Sequence, residues 1–236
     1  MISATGAEIL AHLDVVRIER TVRAADAGLA ARVGAIKCYQ QRRFELTYAD
    51  LLVHPRYAGA SRFFLEELYG PTDFTQRDAQ FARVVPGLAR MFPAEVVDTV
   101  RTLAELHALS ERFDTRMARD LGSPEVDRSA YVRAWQTCNE APSRDRQIDL
   151  LLRVGRDLDR LTRSALLRHS LRLMRAPARA AGLVALQSFL ECGFDTFRAM
   201  HGADEFLAIV EQRERSLAAI LFAADAQDPD RLGQLP

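Results

Sequence analysis

The sequence predicts an all-α protein, a single-domain bundle of about eight or nine helices. Three observations carry that expectation. Ala (36) and Leu (30) make up more than a quarter of the 236 residues, and both are strong helix formers. Strand-like alternation of Val, Ile, Thr and Tyr is almost absent, whereas apolar residues recur at three- and four-residue steps, the period of one helix face. The prolines fall between the periodic segments, where helix boundaries lie.

Ile9, Leu13, Val16, Val22, Leu29, Val33 and Ile36 mark a long first segment over 5–44, with Gly28 and Gly34 as points where it bends or breaks. A short helix over 47–53 stops ahead of Pro55, because the residue before a proline avoids the α region. Residues 56–69 hold the densest aromatic patch, closed by Gly70-Pro71. Asp73 is placed as the N-cap of a helix over 74–85 that Pro86 ends. Pro93 suits the first turn of a helix running to about 120, with Gly122 as its stop. Ser123-Pro124-Glu125 starts the next, to about 138. Ser143 caps the longest remaining segment, 144–175, which Pro177 interrupts. Helices over 182–200 and 203–223 complete the set, with His201-Gly202 between them. The expectation is one helical domain over 1–225 and a polar, frayed tail over 226–236. No fixed-period repeat is present, which argues against a solenoid.

The formal net charge is zero, from 32 basic and 32 acidic residues, and Lys37 is the one lysine among the cations. Zero net charge argues against a dedicated nucleic-acid binder. No apolar run approaches the roughly 18 residues of a membrane span. The opening residues lack the basic and apolar regions of a signal peptide, and three scattered cysteines form no framework. These features predict a cytoplasmic protein with no nucleic-acid or membrane partner and no cofactor. The neutral total is uneven along the chain: residues 143–181 carry +6 and residues 182–236 carry −5. Within the basic stretch Arg153, Arg156, Arg160 and Arg163 share one helix face. Guanidinium forks match carboxylates and phosphates, so this stripe is a candidate surface for an acidic protein or an anionic ligand. The competing expectation is a solvated face whose charges pair within the chain.

Nucleotide-binding, hydrolase, zinc-protease and calcium-loop motifs are all missing from the sequence. The best polar constellation is His107, Glu111 and Asp114, one face of the helix over 93–120, with Ser110 beside them. An imidazole and two carboxylates at that spacing can serve a metal or a proton transfer. One helix supplies too few ligands for a dedicated metal site, so a hydrogen-bonded contact between helices is the competing expectation. His12 with Glu8 is a weaker pair, and His169 among Leu166, Leu167 and Leu171 is expected to be a satisfied core or boundary histidine rather than the haem ligand its apolar surroundings also allow. Cys138 and Cys192 are expected to be buried structural thiols.

The most specific stretch is Phe63-Phe64-Leu65-Glu66-Glu67-Leu68-Tyr69-Gly70, followed by Asp73-Phe74 and Arg77-Asp78. It resembles an uncharacterised family of bacterial helical proteins marked by an FFLxxLYG segment and a following DFxxRD. Leu173 to Arg179, Phe194 to Arg198 and Arg213-Glu214 are similar to the same family, over most of residues 45–222. That resemblance implies a helical domain of unknown function and no activity. In physical terms, Phe63, Phe64, Leu68 and Phe74 anchor a core corner, and Glu66, Glu67, Asp73, Arg77 and Asp78 can form an ion-pair network around the turn, either structural or functional. Together these features predict a non-enzymatic helical binding or interaction protein, possible as a homo-oligomer. The alternative is a metal- or cofactor-dependent enzyme on the His107/Glu111/Asp114 face.

Overall fold

A computed structural model describes residues 3–67, 72, 74–223 and 235–236. Among these the chain is helical with no strand, in twelve segments: α1 (Ala4–Ala24), α2 (Ala27–Thr47), α3 (Ala49–Val53), α4 (Ala58–Glu67), α5 (Thr75–Met91), α6 (Ala94–Arg119), α7 (Arg128–Cys138), α8 (Ala141–Thr162), α9 (Ala165–Leu173), α10 (Arg175–Ala180), α11 (Val184–Ala199) and α12 (Asp204–Phe222). The long α6 is the central rod. It packs against α1, α2, α7 and α8, while α8 in turn carries α11 and α12.

The helix number exceeds eight or nine because two sequence segments contain internal caps and a short α10, Arg175–Ala180, forms between α9 and α11. The first segment breaks at Ala25–Asp26, ahead of both glycines: the Asp26 carboxylate accepts from the Leu29 N–H and starts α2. The segment over 144–175 breaks at Ser164, whose backbone turns extended while its Oγ accepts from the Leu167 N–H. Side-chain oxygens at these positions satisfy the free amides of a helix start, so a new helix begins inside an apolar pattern that looks continuous. Pro86 errs in the other direction: α5 runs through it to Met91. Phe81 and Val85 before it, and Leu88 and Ala89 after it, belong to one cluster with Ile9 and Val97, and packing on both sides holds the helix across the lost amide. Asp127, not Ser123, caps α7 through the Ala130 N–H, and Asn139 ends it in the left-handed region at φ 43°.

Among the described residues three apolar clusters form the core. The aromatic one gathers Phe63, Phe64, Tyr57, Phe197 and Phe206 around Leu150 and Leu152 of α8. A second joins Tyr39, Met117, Tyr131 and Leu221 and includes Leu235, whose neighbour Pro236 accepts from the Tyr39 hydroxyl. The third lies between α1, α5 and α6. Gly155 lets α12 approach α8, since a Cβ there would lie 2.5 Å from a Leu207 methyl. The turn before α12 uses positive φ at both His201 (53°) and Gly202 (114°).

Candidate functional site

The helical period brings His107, Glu111 and Asp114 to one face of α6, and the structure turns that face inward onto α1, α2 and α5. Arg23 of α1 pairs with Oε2 of Glu111, and Lys37 of α2 lies 2.7 Å from its Oε1. Arg20, one turn before Arg23, sits 3.9 Å from Glu111 and 2.7 Å from Asp78 Oδ2. Lys37 also lies 3.6 Å from Asp114, which accepts from the Gln40 amide at 3.1 Å. His107 reaches across to α5, with Nε2 2.8 Å from Asp78. Arg77 extends the series, 3.7 Å from Asp78 and 3.2 Å from Glu67. The expected contact between helices is therefore a continuous charge network linking five helices, α1, α2, α4, α5 and α6.

Two carboxyls one turn apart are driven in opposite directions. Burial pushes Glu111 up, but Lys37 and Arg23 outweigh it and hold the carboxyl at about 2. Burial of Asp114 prevails over the pull of Lys37, and nearby Glu111 adds to it, so that carboxyl titrates above its ordinary value. Asp78 is held low: burial raises it, and His107, Arg20 and Arg77 together more than offset that. Paired groups set apart in this way fix where protons and charges stand.

This network forms one side of an interior cavity of about 150 Å³. Leu103, Leu106, Ile148, Leu151, Phe81 and Phe189 supply apolar wall. A second polar group lies along the same cavity: Tyr131, Trp135, Arg144, Gln147, and Arg43 with Glu214. Two of the arginines lining the cavity are clamped between aromatic rings. Arg77 lies 3.9 Å from the Phe74 ring centre and 4.4 Å from that of Phe189. Arg144 lies 3.7 Å from Phe113 and 3.8 Å from Trp135. Such stacking holds a guanidinium rigid and leaves its edge for hydrogen bonds. Arg144 donates to Gln147 and to the Met117 sulfur, and Gln147 donates to Ser110. The indole Nε1 of Trp135 is buried and, among the described residues, has no hydrogen-bond partner.

The remaining sequence candidates fall elsewhere. Each arginine of the exposed stripe has a carboxylate within the chain: Arg153 with Asp98, Arg156 with Glu211, Arg160 with Asp157, and Arg163 with Asp159. Glu66 is exposed and is not joined to the Arg77 network by any of the contacts above. Asp73 and Leu68 to Pro71 lie outside the described residues. His169 lies on the exposed face of α9, a helix with no buried residue, so its leucines form no haem pocket. Glu8 lies 3.7 Å from Arg101. Cys138 is buried as expected, whereas Cys192 is exposed. Among the described residues no group of three His, Cys, Asp or Glu is placed to hold a metal ion. Arg20, Arg23, Gln40, Trp135 and Arg144 were not legible as site residues. Their spacing on α1, α2, α7 and α8 is that of ordinary amphipathic helices, and Lys37 stood out in the sequence only as the chain's one lysine.

The model of a family described as a domain of unknown function (DUF8198) matches residues 19–228. The chain belongs to the DUF8198 family. The matched span begins just before Arg20 and extends beyond Glu214, so the charge network and all of the cavity's lining residues except Leu13 lie inside the DUF8198 region. No curated protein and no solved structure matches the chain.

Proposed function

We propose that this DUF8198 protein is a non-enzymatic helical binding protein whose ligand occupies the interior cavity. The observation that supports this is the wall itself: a continuous apolar side facing polar groups already fixed in position by ion pairs and ring stacking. Few, rigid polar groups in an otherwise apolar concavity are the usual make-up of a small-molecule site. A void near 150 Å³ accepts a body about the size of benzene.

The exposed stripe over Arg153 to Arg163 supports an acidic partner less well, because its guanidinium groups already meet carboxylates of the same chain. A metal-dependent reading of the α6 face is also less favoured: Arg23 and Lys37 occupy both oxygens of Glu111, and three cations near one carboxylate repel a fourth. No helix among the described residues is long and apolar enough to cross a membrane. We place the protein in the cytoplasm, where its free thiols suit a reducing compartment.

Trp135 is the chain's single tryptophan and lies in the cavity wall, so its emission reports occupancy without a label. Titration with benzyl alcohol and hexanol is expected to give a saturable change in that emission and a rise in melting temperature. A linear, non-saturating response with an unmoved melting curve for both compounds would refute the proposal.

A further inference from the structure

We infer that α9 and α10 dock on an anionic phospholipid surface, Leu166 and Leu173 entering the headgroup layer while Arg172 and Arg179 meet lipid phosphates. No residue over 163–184 lines the cavity, so this surface is independent of the cavity reading.

The two sides of α9 differ. No residue of this helix is buried. Leu167, Arg168, Ser170 and Leu171 are half-buried, and this side meets α11: Arg168 lies 3.7 Å from Asp195, and the Leu171 carbonyl accepts from the Gln187 amide. Leu166, His169, Arg172 and Leu173 are exposed and share the other side at helical spacing. Leu166 is 74 % exposed and Leu173 64 %. Met174, which follows α9, and Val184, which opens α11, are exposed as well. Apolar side chains gathered at one end of the fold in this way mark a contact surface.

Charge says what meets it. Residues 163–181 hold Arg163, Arg168, Arg172, Arg175 and Arg179 and no acidic residue. Three of these have carboxylates within the chain, at Asp159, Asp195 and Glu191. Arg172 and Arg179 have none within 4.0 Å among the described residues. A short apolar stripe flanked by arginines is the make-up of a helix that lies in the plane of a membrane surface, and the cytoplasmic leaflet is the anionic one.

Other occupants fit less well. A second copy of this chain would bring the same arginines against one another across a two-fold contact. An acidic helix of another protein needs a groove to lie in, whereas Leu166 and Leu173 stand out from the surface. A fluid interface accepts protruding side chains. The expectation of no membrane partner came from the length of apolar runs, which bears on spanning segments alone, and a helix lying in the headgroup layer needs no such run.

Co-sedimentation of the intact protein with vesicles tests this. Vesicles of phosphatidylcholine with about 30 % phosphatidylserine are expected to carry the protein down, and phosphatidylcholine alone is not. Binding is expected to fall at least tenfold in roughly 0.5 M salt. Arg172→Gln and Arg179→Gln are each expected to weaken it about fivefold. Leu166→Ser and Leu173→Ser are each expected to weaken it about tenfold, with circular dichroism unchanged because both positions are exposed. The lipid series on the unaltered protein decides the matter even if a variant does not fold. Failure to bind the anionic vesicles overturns the inference and gives this face to a second copy or an acidic protein. Equal binding to both vesicle types, or parent-level binding by the folded leucine variants, overturns it too.

Discussion

Nζ of Lys37 lies 2.7 Å from Oε1 of Glu111, so the chain's one lysine meets the one buried glutamate among the described residues. A compact ammonium at this position also comes within 3.6 Å of Asp114, one turn along α6. A planar guanidinium is less suited to a point contact between two carboxyls on one helix face. The site thus departs from the all-arginine usage of the rest of the chain at the place where the geometry calls for a point charge.

Removing the shared carboxylate is expected to be severe. Glu111→Ala leaves Arg23 and Lys37 buried without their main partner, and breaking a buried pair in this way costs about 3–5 kcal/mol. Urea unfolding followed by far-UV circular dichroism measures it. A midpoint within error of the parent would show that the network contributes nothing to folding.

The two carboxyls also set opposite pH dependences. Glu111 titrates at about 2 in the folded protein against an ordinary value of 4.5. Its folded form binds fewer protons, so its stabilisation is complete above about pH 4.5 and is lost as pH falls toward 2. Asp114 is raised from 3.8, so the folded state holds its proton longer, and its contribution declines as pH climbs from about 4 through the folded value. Asp114→Asn keeps the neutral shape and is expected to gain stability relative to the parent as pH rises from 4 to 8. A constant difference across that range would contradict the assignment.

The exposed stripe is expected to matter little. Arg156→Glu combined with Arg160→Glu removes two solvent-facing pairs, and such pairs contribute weakly and are screened by salt. A melting-temperature loss of roughly 2–4 °C, shrinking in 0.5 M salt, is anticipated. Differential scanning calorimetry at two salt concentrations is the check, and a salt-independent loss far beyond that range would show that the stripe has a structural role.

Close packing of α8 on α12 sets a further expectation. Gly155→Ala places a methyl 2.5 Å from one Leu207 terminal carbon and 3.2 Å from the other. Leu207 is buried and has little room to turn, so overpacking of about 1–3 kcal/mol follows. Urea midpoints of the glycine and alanine forms decide it, and equal midpoints would mean that the two helices separate freely.

Most of the fold was legible because helix starts, stops and apolar periods are local properties. The errors have local causes as well. Asp26 and Ser164 are caps embedded in apolar runs whose spacing continues across them, and Pro86 is tolerated because distant residues pack on both sides of it. The α6 face could be found from spacing alone, since His107, Glu111 and Asp114 lie on a single helix. What spacing could not supply is partnership. Arg23, Lys37 and Gln40 come from other helices, and only the tertiary packing of α1 and α2 against α6 brings them to the carboxyls. The stripe over Arg153 to Arg163 shows the same limit, because the acids that neutralise it include Asp98 on α6 and Glu211 on α12.

Filling the cavity tests the central claim most directly. Ala104 is buried and lines the void, and Ala104→Leu would occupy much of it. Benzyl alcohol binding to the parent and to this variant is to be compared by calorimetry, with urea unfolding as the control for folding. The expected result is one-to-one binding in the parent and its loss in a variant that unfolds at the same or a higher urea concentration. Binding of equal affinity in the folded variant would contradict an interior site.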